Sequence, residues 1–558
     1  MELGELIDKC TLANAVKYDG KANPGAIIGS VIKEMPSVKS NMGQLSNLIK
    51  DAVKRINSLS SEEQKQLIME RYPELLEKKQ KEERNIFAFL NIKEGEQIIT
   101  AFPPGPEKYP HIGHAKAALL NFLLAKRYNG KFYLRFEDTN PTLVKKEFYD
   151  ILIDNFKWLG IEWDLLQKAS DYMHLFYEFA EKLINEGHAY MCSCNADTAS
   201  ENRIKMIPCA CRNKTAEQNL DDWKHFSKKE AGSMVLRLKI DLAHPNSTMR
   251  DPTIFRLIDV PHALLGTKHR VWPNYDFQNS VMDGYFGITH RIRSKEFEMR
   301  SELQRYIQEI LGLHQTVTYE MARFNLEGVQ SSGRVIREMI EKGELTGWDD
   351  PSLTTIVALR RRGFTPEAIR EFVINTGITK AESTLTWDDL IVQNRRVLDE
   401  RSDRFFFIAN PVKISITNAP ELEVELHRHP HLRKGGRKLR INEDFYISGE
   451  DYAELKKGEL YRFMDAINFI KEENEFVYVG SEYIQFKEGG KKIMHYLPVS
   501  DNLVEAEVLM PDKSVIKGLG EPMMMNLKEG DIIQAERFGF MRLDKKEKKK
   551  LFFWFTHQ

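Results

Sequence analysis

The chain has 558 residues, too many for one hydrophobic core, so we expect several domains. Its 81 basic and 82 acidic side chains nearly cancel, which argues against non-specific coating of nucleic acid or membranes but allows a local basic surface. The N-terminal residues lack the apolar core of a signal peptide, and we find no run of about 18 apolar residues that would predict a membrane span.

Residues 1–95 predict a helical N-terminal extension. The segment 60–84 begins with two serines before acidic residues, which is typical of a helix N-terminus. Its end, 78–84, is rich in lysine and glutamate and is typical of a solvated helix face or a linker.

From residue 96 onward, short apolar runs alternate with helical patterns. The patterns predict strands over 97–102 and 131–141 and helices over 115–130 and 145–160. Strand, helix, strand, helix at short spacing indicates a parallel α/β sheet. Ligands of such sheets bind at the carboxyl ends of the strands, where the stretches 101–121 and 135–141 fall.

The remaining patterns divide the chain into regions. Clustered cysteines and a strand over 233–240 interrupt the α/β rhythm, a helical pattern follows later, and β-prone runs separated by turn signals dominate the C-terminus. The predicted regions are a helical extension at 1–95, an α/β domain in two halves at 96–189 and 271–344, an insertion at 190–270, a helical region at 345–404 and an all-β region at 405–558.

The stretch Ala101–Asn121 carries the strongest chemical pattern. His111 and His114 surround Gly113 where a helix is predicted to begin. A helix N-terminus attracts anions, glycine allows close approach of a ligand, and imidazoles can donate hydrogen bonds to phosphate oxygens as charge develops. The pattern favours a site that reacts with a nucleotide; taken alone, it also fits a proline-rich turn with two surface histidines.

Four cysteines lie in a short segment of the insertion. Cys192, Cys194, Cys209 and Cys211 form two C-x-C pairs, and four thiolates suit a closed, tetrahedral structural Zn²⁺ that would hold an insertion without its own core. A set of buried free thiols is the alternative. Such clustering is unlike a disulfide scaffold, so we expect a reducing, cytoplasmic environment; Cys10 is isolated.

The segment PHIGHAKAALLN resembles the first signature of class I aminoacyl-tRNA synthetases, in the form found in the glutamyl and glutaminyl enzymes. Segments similar to later family motifs follow in order: RFEDTNP, FNLEGVQSSGRVIREMI, GWDDPSLTTIVALRRRGF and GDIIQAERFGFMRLD. The helical extension and the β-rich C-terminus resemble archaeal glutamyl-tRNA synthetases. The resemblance covers almost the whole chain and implies a Rossmann-like catalytic domain, an inserted acceptor-binding domain, a helical stem-contact region and β-barrels that bind the anticodon.

The resemblance implies that the chain activates L-glutamate with ATP and Mg²⁺ and transfers it to tRNA(Glu). Transfer to tRNA(Gln) as well stays open. The residues that match the two ATP signatures are His111, Gly113, His114, Ser331, Ser332 and Arg334. The second signature departs from the family because its usual lysine is absent.

Four residues match the family's glutamate contacts. Glu137 matches the partner of the α-ammonium group, Tyr275 and Asn279 match further contacts, and Arg293 matches the partner of the side-chain carboxylate. A guanidinium binds a carboxylate bidentately and rejects a neutral amide, which favours glutamate over glutamine. Ala101 departs from the family, which usually has an arginine there.

Two basic segments are candidate RNA contacts. We expect 426–440 to bind phosphates of the anticodon stem and 360–364 to contact the inner corner of the tRNA. Two other functions stay open: a glutaminyl-tRNA synthetase, which Arg293 argues against, and a non-catalytic tRNA-binding paralogue, which Ala101 and the lysine-free second signature suggest. We expect a cytoplasmic monomer without membrane association.

Overall fold

The computed structural model describes most of the chain. The described residues are 2–17, 21–59, 61–72, 75, 85–93, 95–323, 325–328, 330, 332–382, 384–473 and 475–558. The chain forms two compact units, Met1–Asn85 and Ile86–Gln558. Within the described ranges, no helix combines the length and the apolar character needed to cross a membrane.

The N-terminal unit is helical, as predicted. Its helices are Leu3–Lys17, Pro24–Glu34, Met42–Asn57 and Ser61–Arg71. The helix Met42–Asn57 buries Leu45, Ile49, Val53 and Ile56, which recur at helical spacing and give one apolar face. The lysine- and glutamate-rich segment 78–84 lies outside the described residues.

The unit boundary falls before residue 95, where the sequence placed the end of the extension. Phe87 and Leu90 are buried in the main core of the second unit. These apolar side chains place 86–93 with the second unit, because burying them there removes apolar surface from water.

A five-stranded parallel sheet forms the centre of the second unit. Its strand order is Leu165–Lys168, Lys131–Phe136, Ile99–Phe102, His290–Ser294 and Val317–Met321. The helices around it are Ile112–Arg127, Glu147–Trp158, Met173–Asn185, Tyr275–Tyr285 and Glu298–Leu311. This arrangement confirms the predicted Rossmann-like sheet, and the strand order reverses direction beside Ile99–Phe102, where such sheets bind ligands.

An antiparallel sheet interrupts the parallel one in sequence. Its strands are Ala189–Cys192, Val235–Leu238, Thr253–Leu257 and Val271–Pro273, and its helices are Ala196–Lys205 and Ala216–His225. Trp272, Phe226 and Phe255 are fully buried in a core that this sheet shares with neighbouring helices. The sequence pattern that suggested an insertion therefore corresponds to a change from parallel to antiparallel pairing.

Helices follow the parallel sheet, as predicted. They are Gly333–Glu341, Ile356–Arg362, Pro366–Thr376 and Trp387–Arg401, and a two-stranded pair, Asn325–Leu326 and Thr384–Leu385, accompanies them. Arg361 forms two hydrogen bonds with Asp544, at 2.9 and 2.7 Å, and buried Arg362 donates to the carbonyl of Thr556 at 3.0 Å. Two of the arginines expected to contact tRNA thus hold this helical region to the C-terminal sheet.

Strands dominate the C-terminal region, and the short α-helices Gly449–Glu454 and Tyr483–Gly489 lie among them. One seven-stranded sheet has the order Arg404–Phe405, Ile532–Ala535, Gly539–Lys546, Lys550–His557, Val504–Leu509, Val515–Gly520 and Phe407–Ala409. The other has the order Gly490–Met494, Leu460–Phe463, Asn468–Lys471, Phe476–Gly480, Pro411–Thr417, Asp444–Ser448 and Leu497–Pro498. Each sheet has its own apolar core, which confirms the predicted barrel-like C-terminus.

The basic segment 426–440 lies in a hairpin of Leu422–His429 and Arg433–Ile441. Arg437 is buried and pairs with Glu521 at 2.5 Å and Glu536 at 2.8 Å. Arg428 and Arg433 both pair with Asp403. These arginines bind protein carboxylates. The hairpin therefore offers less positive charge to RNA than the number of its arginines in the sequence suggested.

Replacing Arg437 tests how the hairpin is held. Arg437→Met leaves the buried carboxylate of Glu521 without its cation, which costs about 3–5 kcal/mol. Because Glu521 also accepts the backbone N–H of Phe406 at 2.6 Å, we expect faster hydrogen exchange at Phe406. Lys438→Met, on the same strand but exposed, is the control. Unchanged exchange at Phe406 in Arg437→Met would contradict a supporting role for the pair.

Candidate active site

His111 and His114 begin the helix that follows the central strand. His111 is the N-cap residue: its Nδ1 accepts the N–H of Gly113 at 3.0 Å, and Nδ1 of His114 accepts the N–H of His111 at 3.2 Å. The ring centroids are 4.0 Å apart. Because each Nδ1 is an acceptor, the proton of each neutral ring is on Nε2, which remains a hydrogen-bond donor.

Both imidazoles are neutral near pH 7. Burial lowers the pKa of His111 to about 4, and the nearby charges of Lys108 and Arg323 add to the effect. Burial also lowers the pKa of His114 well below its usual value, with His111 and Lys108 contributing. The pair therefore provides N–H donors without positive charge.

Gly113 has a packing reason to be glycine. A Cβ at this position would lie 2.8 Å from Cε1 of His111. Any side chain would push the capping imidazole away, so glycine preserves the geometry of the cap as well as leaving the helix end open to a ligand.

The helical region that follows the sheet fixes the loop before this cap. The N–H of Ile112 donates to the carbonyl of Thr354 at 3.0 Å, and the N–H of Ile356 donates to the carbonyl of Pro110 at 2.9 Å. Tyr109 stacks on Trp348 with ring centroids 5.3 Å apart. Segments far apart in sequence thus share one small strand-like contact at the mouth of the site.

The second signature lies at the start of the helix Gly333–Glu341. Ser332 is its N-cap residue, and its N–H donates to Oε1 of Gln330 at 2.9 Å. Ser331 lies outside the described residues. The side chain of Arg334 is 83% exposed and lies 3.8 Å from the carboxylate of Glu338.

Glu137 follows the strand Lys131–Phe136 and is the centre of a second group of predicted residues. Its Oε1 accepts from Asn279 at 2.5 Å and from Arg135 at 3.2 Å, whereas its Oε2 is buried without a hydrogen-bond partner. Burial raises the pKa of Glu137, and the charges of Arg135 and Arg291 oppose this shift. A buried carboxylate oxygen without a partner suits a cationic ligand group.

Charged residues that the sequence analysis missed surround Glu137. Arg135 pairs with Asp283 at 2.8 Å, and Arg291 pairs with the same aspartate at 2.9 Å and contacts Asn279. Arg135 and Arg291 lie on the two strands that flank the strand of buried Ala101. Arg135 interrupts the apolar run of the strand Lys131–Phe136, and this was the sequence signal that could have indicated buried charge here.

Tyr275 and Arg293 lie close to this group. Burial raises the pKa of Tyr275 to about 12, with Glu137 contributing, so its hydroxyl is protonated at neutral pH. The buried guanidinium of Arg293 donates to Gln304 at 2.8 Å and Ser301 at 2.7 Å. In the described part of the chain, no carboxylate forms an ion pair with Arg293. A buried cation held only by neutral groups suits an anionic ligand.

A second buried group supports the turn that holds Glu137. Asp138 accepts hydrogen bonds from Tyr149 and Ser170, each at 2.7 Å. Nε2 of His262 donates to the carbonyl of Asp138 at 2.8 Å, while its Nδ1 accepts backbone N–H groups of its own loop. The loop between the last two strands of the antiparallel sheet therefore positions the end of a parallel strand.

The four predicted metal ligands lie together. The Sγ atoms of Cys192, Cys194, Cys209 and Cys211 are all within 4.8 Å of one another, and those of Cys192 and Cys209 are 3.9 Å apart. Tetrahedral zinc with Zn–S bonds of about 2.3 Å requires sulfur separations of about 3.8 Å. The cluster can therefore hold a zinc ion after small movements.

Comparison with known proteins gives consistent matches. Residues 97–400 match the family model described as the catalytic domain of class I tRNA synthetases (E and Q), and residues 402–482 and 491–544 match two anticodon-binding domain models of that family. The chain is 38% identical to a glutamate–tRNA ligase of Pyrococcus furiosus and 39% identical to one of Pyrococcus abyssi, each match covering 100% of both chains. It is also 38% identical to a glutamate–tRNA ligase of Methanothermobacter thermautotrophicus, with 97% of each chain covered.

Proposed function

The chain belongs to the glutamate–tRNA ligases of the class I tRNA synthetase family, and on this premise we propose that it charges tRNA(Glu) with L-glutamate in the cytoplasm as a monomer. The observation that carries the proposal is that Glu137 and Arg293 each offer a buried charged group that is available to a ligand. One offers a buried oxygen without a partner and the other a buried guanidinium without a carboxylate, beside a helix N-terminus capped by histidines.

In the first step, an α-carboxylate oxygen of glutamate attacks the α-phosphorus of ATP. The bond from this phosphorus to the bridging oxygen of the β-phosphate breaks, and pyrophosphate leaves with the electron pair. His111 and His114 donate Nε2–H bonds to phosphate oxygens, and these bonds strengthen as negative charge develops. Mg²⁺ enters as part of the ATP substrate, and Gly113 leaves room for the nucleotide.

Glutamate is held at both of its charged ends. Oε2 of Glu137 accepts from the α-ammonium group, and Asn279 fixes the orientation of Glu137 through Oε1. The guanidinium of Arg293 binds the side-chain carboxylate, and the protonated hydroxyl of Tyr275 donates a further hydrogen bond. Holding both ends aligns the α-carboxylate with phosphorus, which reduces the entropic part of the barrier.

In the second step, the 2′-hydroxyl oxygen of the terminal adenosine of tRNA attacks the acyl carbon. The bond from this carbon to the phosphate oxygen breaks, AMP leaves with the electron pair, and AMP takes up the hydroxyl proton. We assign the acceptor end of the tRNA to the insertion 190–270, the stem to 345–404 and the anticodon to 405–558. Ser331, Ser332 and Arg334 remain candidate ATP contacts.

A charging assay tests the function. The purified full chain is given magnesium, ATP and labelled glutamate or glutamine, with tRNA(Glu) or tRNA(Gln) as acceptor. We expect glutamate on tRNA(Glu), and the tRNA(Gln) reaction shows whether the enzyme also uses that acceptor. Charging with glutamine would identify a glutaminyl enzyme, and tRNA binding without charging would identify a non-catalytic paralogue.

Arg293→Gln tests the substrate carboxylate site. Loss of the buried cation should raise the KM for glutamate about 30-fold or more, because a buried charged hydrogen bond contributes about 2–5 kcal/mol. The KM for ATP should stay within twofold of the wild-type value. Arg305→Gln, an exposed change on the helix Glu298–Leu311, is the control. An unchanged KM for glutamate would remove Arg293 from the pocket.

We also propose that the four cysteines bind a structural zinc ion. The helix between the two C-x-C pairs, Ala196–Lys205, has no buried residue, so apolar packing contributes little to holding it. Thiolates of Cys192 and Cys194 at the end of one strand, and of Cys209 and Cys211 beyond the helix, would close this segment around the metal. The zinc would have no open coordination position and no part in the reaction.

The zinc proposal predicts a local change when ligands are removed. Elemental analysis of the wild type should detect about one zinc ion per chain. The double variant Cys209→Ser, Cys211→Ser should lose this zinc. Trypsin should then cleave faster after the exposed residues Arg203 and Lys205. Cys10→Ser should retain both metal and protection. A wild-type chain purified without zinc, with the same resistance to trypsin as the variant, would contradict the proposal.

A further inference from the structure

Lys108 bridges the segments that carry the two ATP signatures. It lies in the loop before His111, and its side chain packs on Gly333 at the start of the second-signature helix. Its Cδ lies 3.0 Å from the position that a Cβ of Gly333 would occupy. Because Gly333 has no side chain, the stem of the lysine fills the space between the two segments.

The charge of Lys108 acts on both histidines. It adds to burial in lowering the pKa of His111 and of His114, whereas Arg323 contributes only to the shift of His111. Arg323 also faces a carboxylate, Glu296, at 4.0 Å. Leaving aside residues whose positions the structure does not describe, no carboxylate forms an ion pair with Lys108.

The triphosphate requires positive charge at this site, and the two histidines do not supply it. The triphosphate of ATP carries several negative charges, and two neutral imidazoles donate hydrogen bonds without neutralising them. The segment 329–334 contains no lysine, and its Arg334 is exposed and faces Glu338. Among the residues that the structure describes, Arg337 donates to the backbone oxygen of Glu107 at 3.4 Å.

We propose that Lys108 is a catalytic residue whose ammonium group binds the β- and γ-phosphates of ATP. This assignment rests on the proposed function of the same site. As the bond to the α-phosphorus breaks, the electron pair moves to the departing pyrophosphate, and Lys108 stabilises that charge by an ion pair without transferring a proton. The cation missing from the second signature is thus supplied by the loop of the first.

Binding of nucleotides to the full chain tests the assignment without depending on turnover. Isothermal titration with ATP plus magnesium and, separately, with adenosine compares Lys108→Ala with the wild type. We expect Lys108→Ala to bind ATP about ten- to hundredfold more weakly than the wild type, because one charged hydrogen bond is lost. The affinity for adenosine should be the same in both proteins. Lys108→Arg should recover most of the ATP affinity.

Lys126→Ala is the matched control. Lys126 is exposed on the same helix as His114, about 18 Å away along the helix axis at about 1.5 Å per residue, and its removal should change neither affinity. Pyrophosphate exchange with tRNA present then separates the steps: Lys108→Ala should raise the KM for ATP and lower kcat, with the KM for glutamate unchanged.

Each outcome decides the assignment. Equal weakening of ATP and adenosine, or no weakening of ATP, would overturn it, as would failure of Lys108→Arg to recover any affinity. If the wild type binds ATP in a Lys108-dependent way but never exchanges pyrophosphate, the proposed function fails while the phosphate contact stands. If the wild type binds neither ATP nor adenosine, both are rejected.

Discussion

Desolvation of charge at the carboxyl ends of the parallel strands is the constraint on which the site depends. Arg135, Asp283 and Arg291 are buried together, and such charges persist only when paired. Asp283 pairs with both arginines, and Oε2 of Glu137 is buried without a hydrogen-bond partner. An amino group of a substrate can donate a hydrogen bond to this oxygen. The ion pairs within the protein therefore determine which charge the pocket accepts.

The same constraint determines what the histidines can do. Burial keeps both imidazoles neutral, and the backbone N–H groups that they accept place the remaining protons on Nε2. The capping arrangement therefore begins the helix and leaves two Nε2–H groups as donors, which we propose bind phosphate. It also makes a cation from elsewhere necessary, which is why the position of Lys108 beside Gly333 matters.

Much of the fold could be predicted from sequence because periodicity and turn residues reflect local physics. The first helix of the sheet begins at Ile112 and not at 115, because the imidazole of His111 acts as its N-cap. Arg135 within an apolar strand was visible in the sequence as a sign of buried charge, but its pairing with Asp283 could not be predicted, since the two residues are far apart in sequence and meet only in the folded chain. The roles of the predicted contacts Tyr275 and Arg293 remain predictions.

Basic residues show most clearly why composition alone misleads. The sequence assigned the arginines of 360–364 and 426–440 to RNA, yet Arg361, Arg362 and Arg437 bind protein groups at the junctions of the C-terminal sheets. A structural cation is one that protein carboxylates or, as for Arg362, backbone carbonyls already bind, and a ligand-binding cation lacks such acceptors. Lys108 has none among the described residues, and this distinction can be made only once acidic neighbours are located in three dimensions.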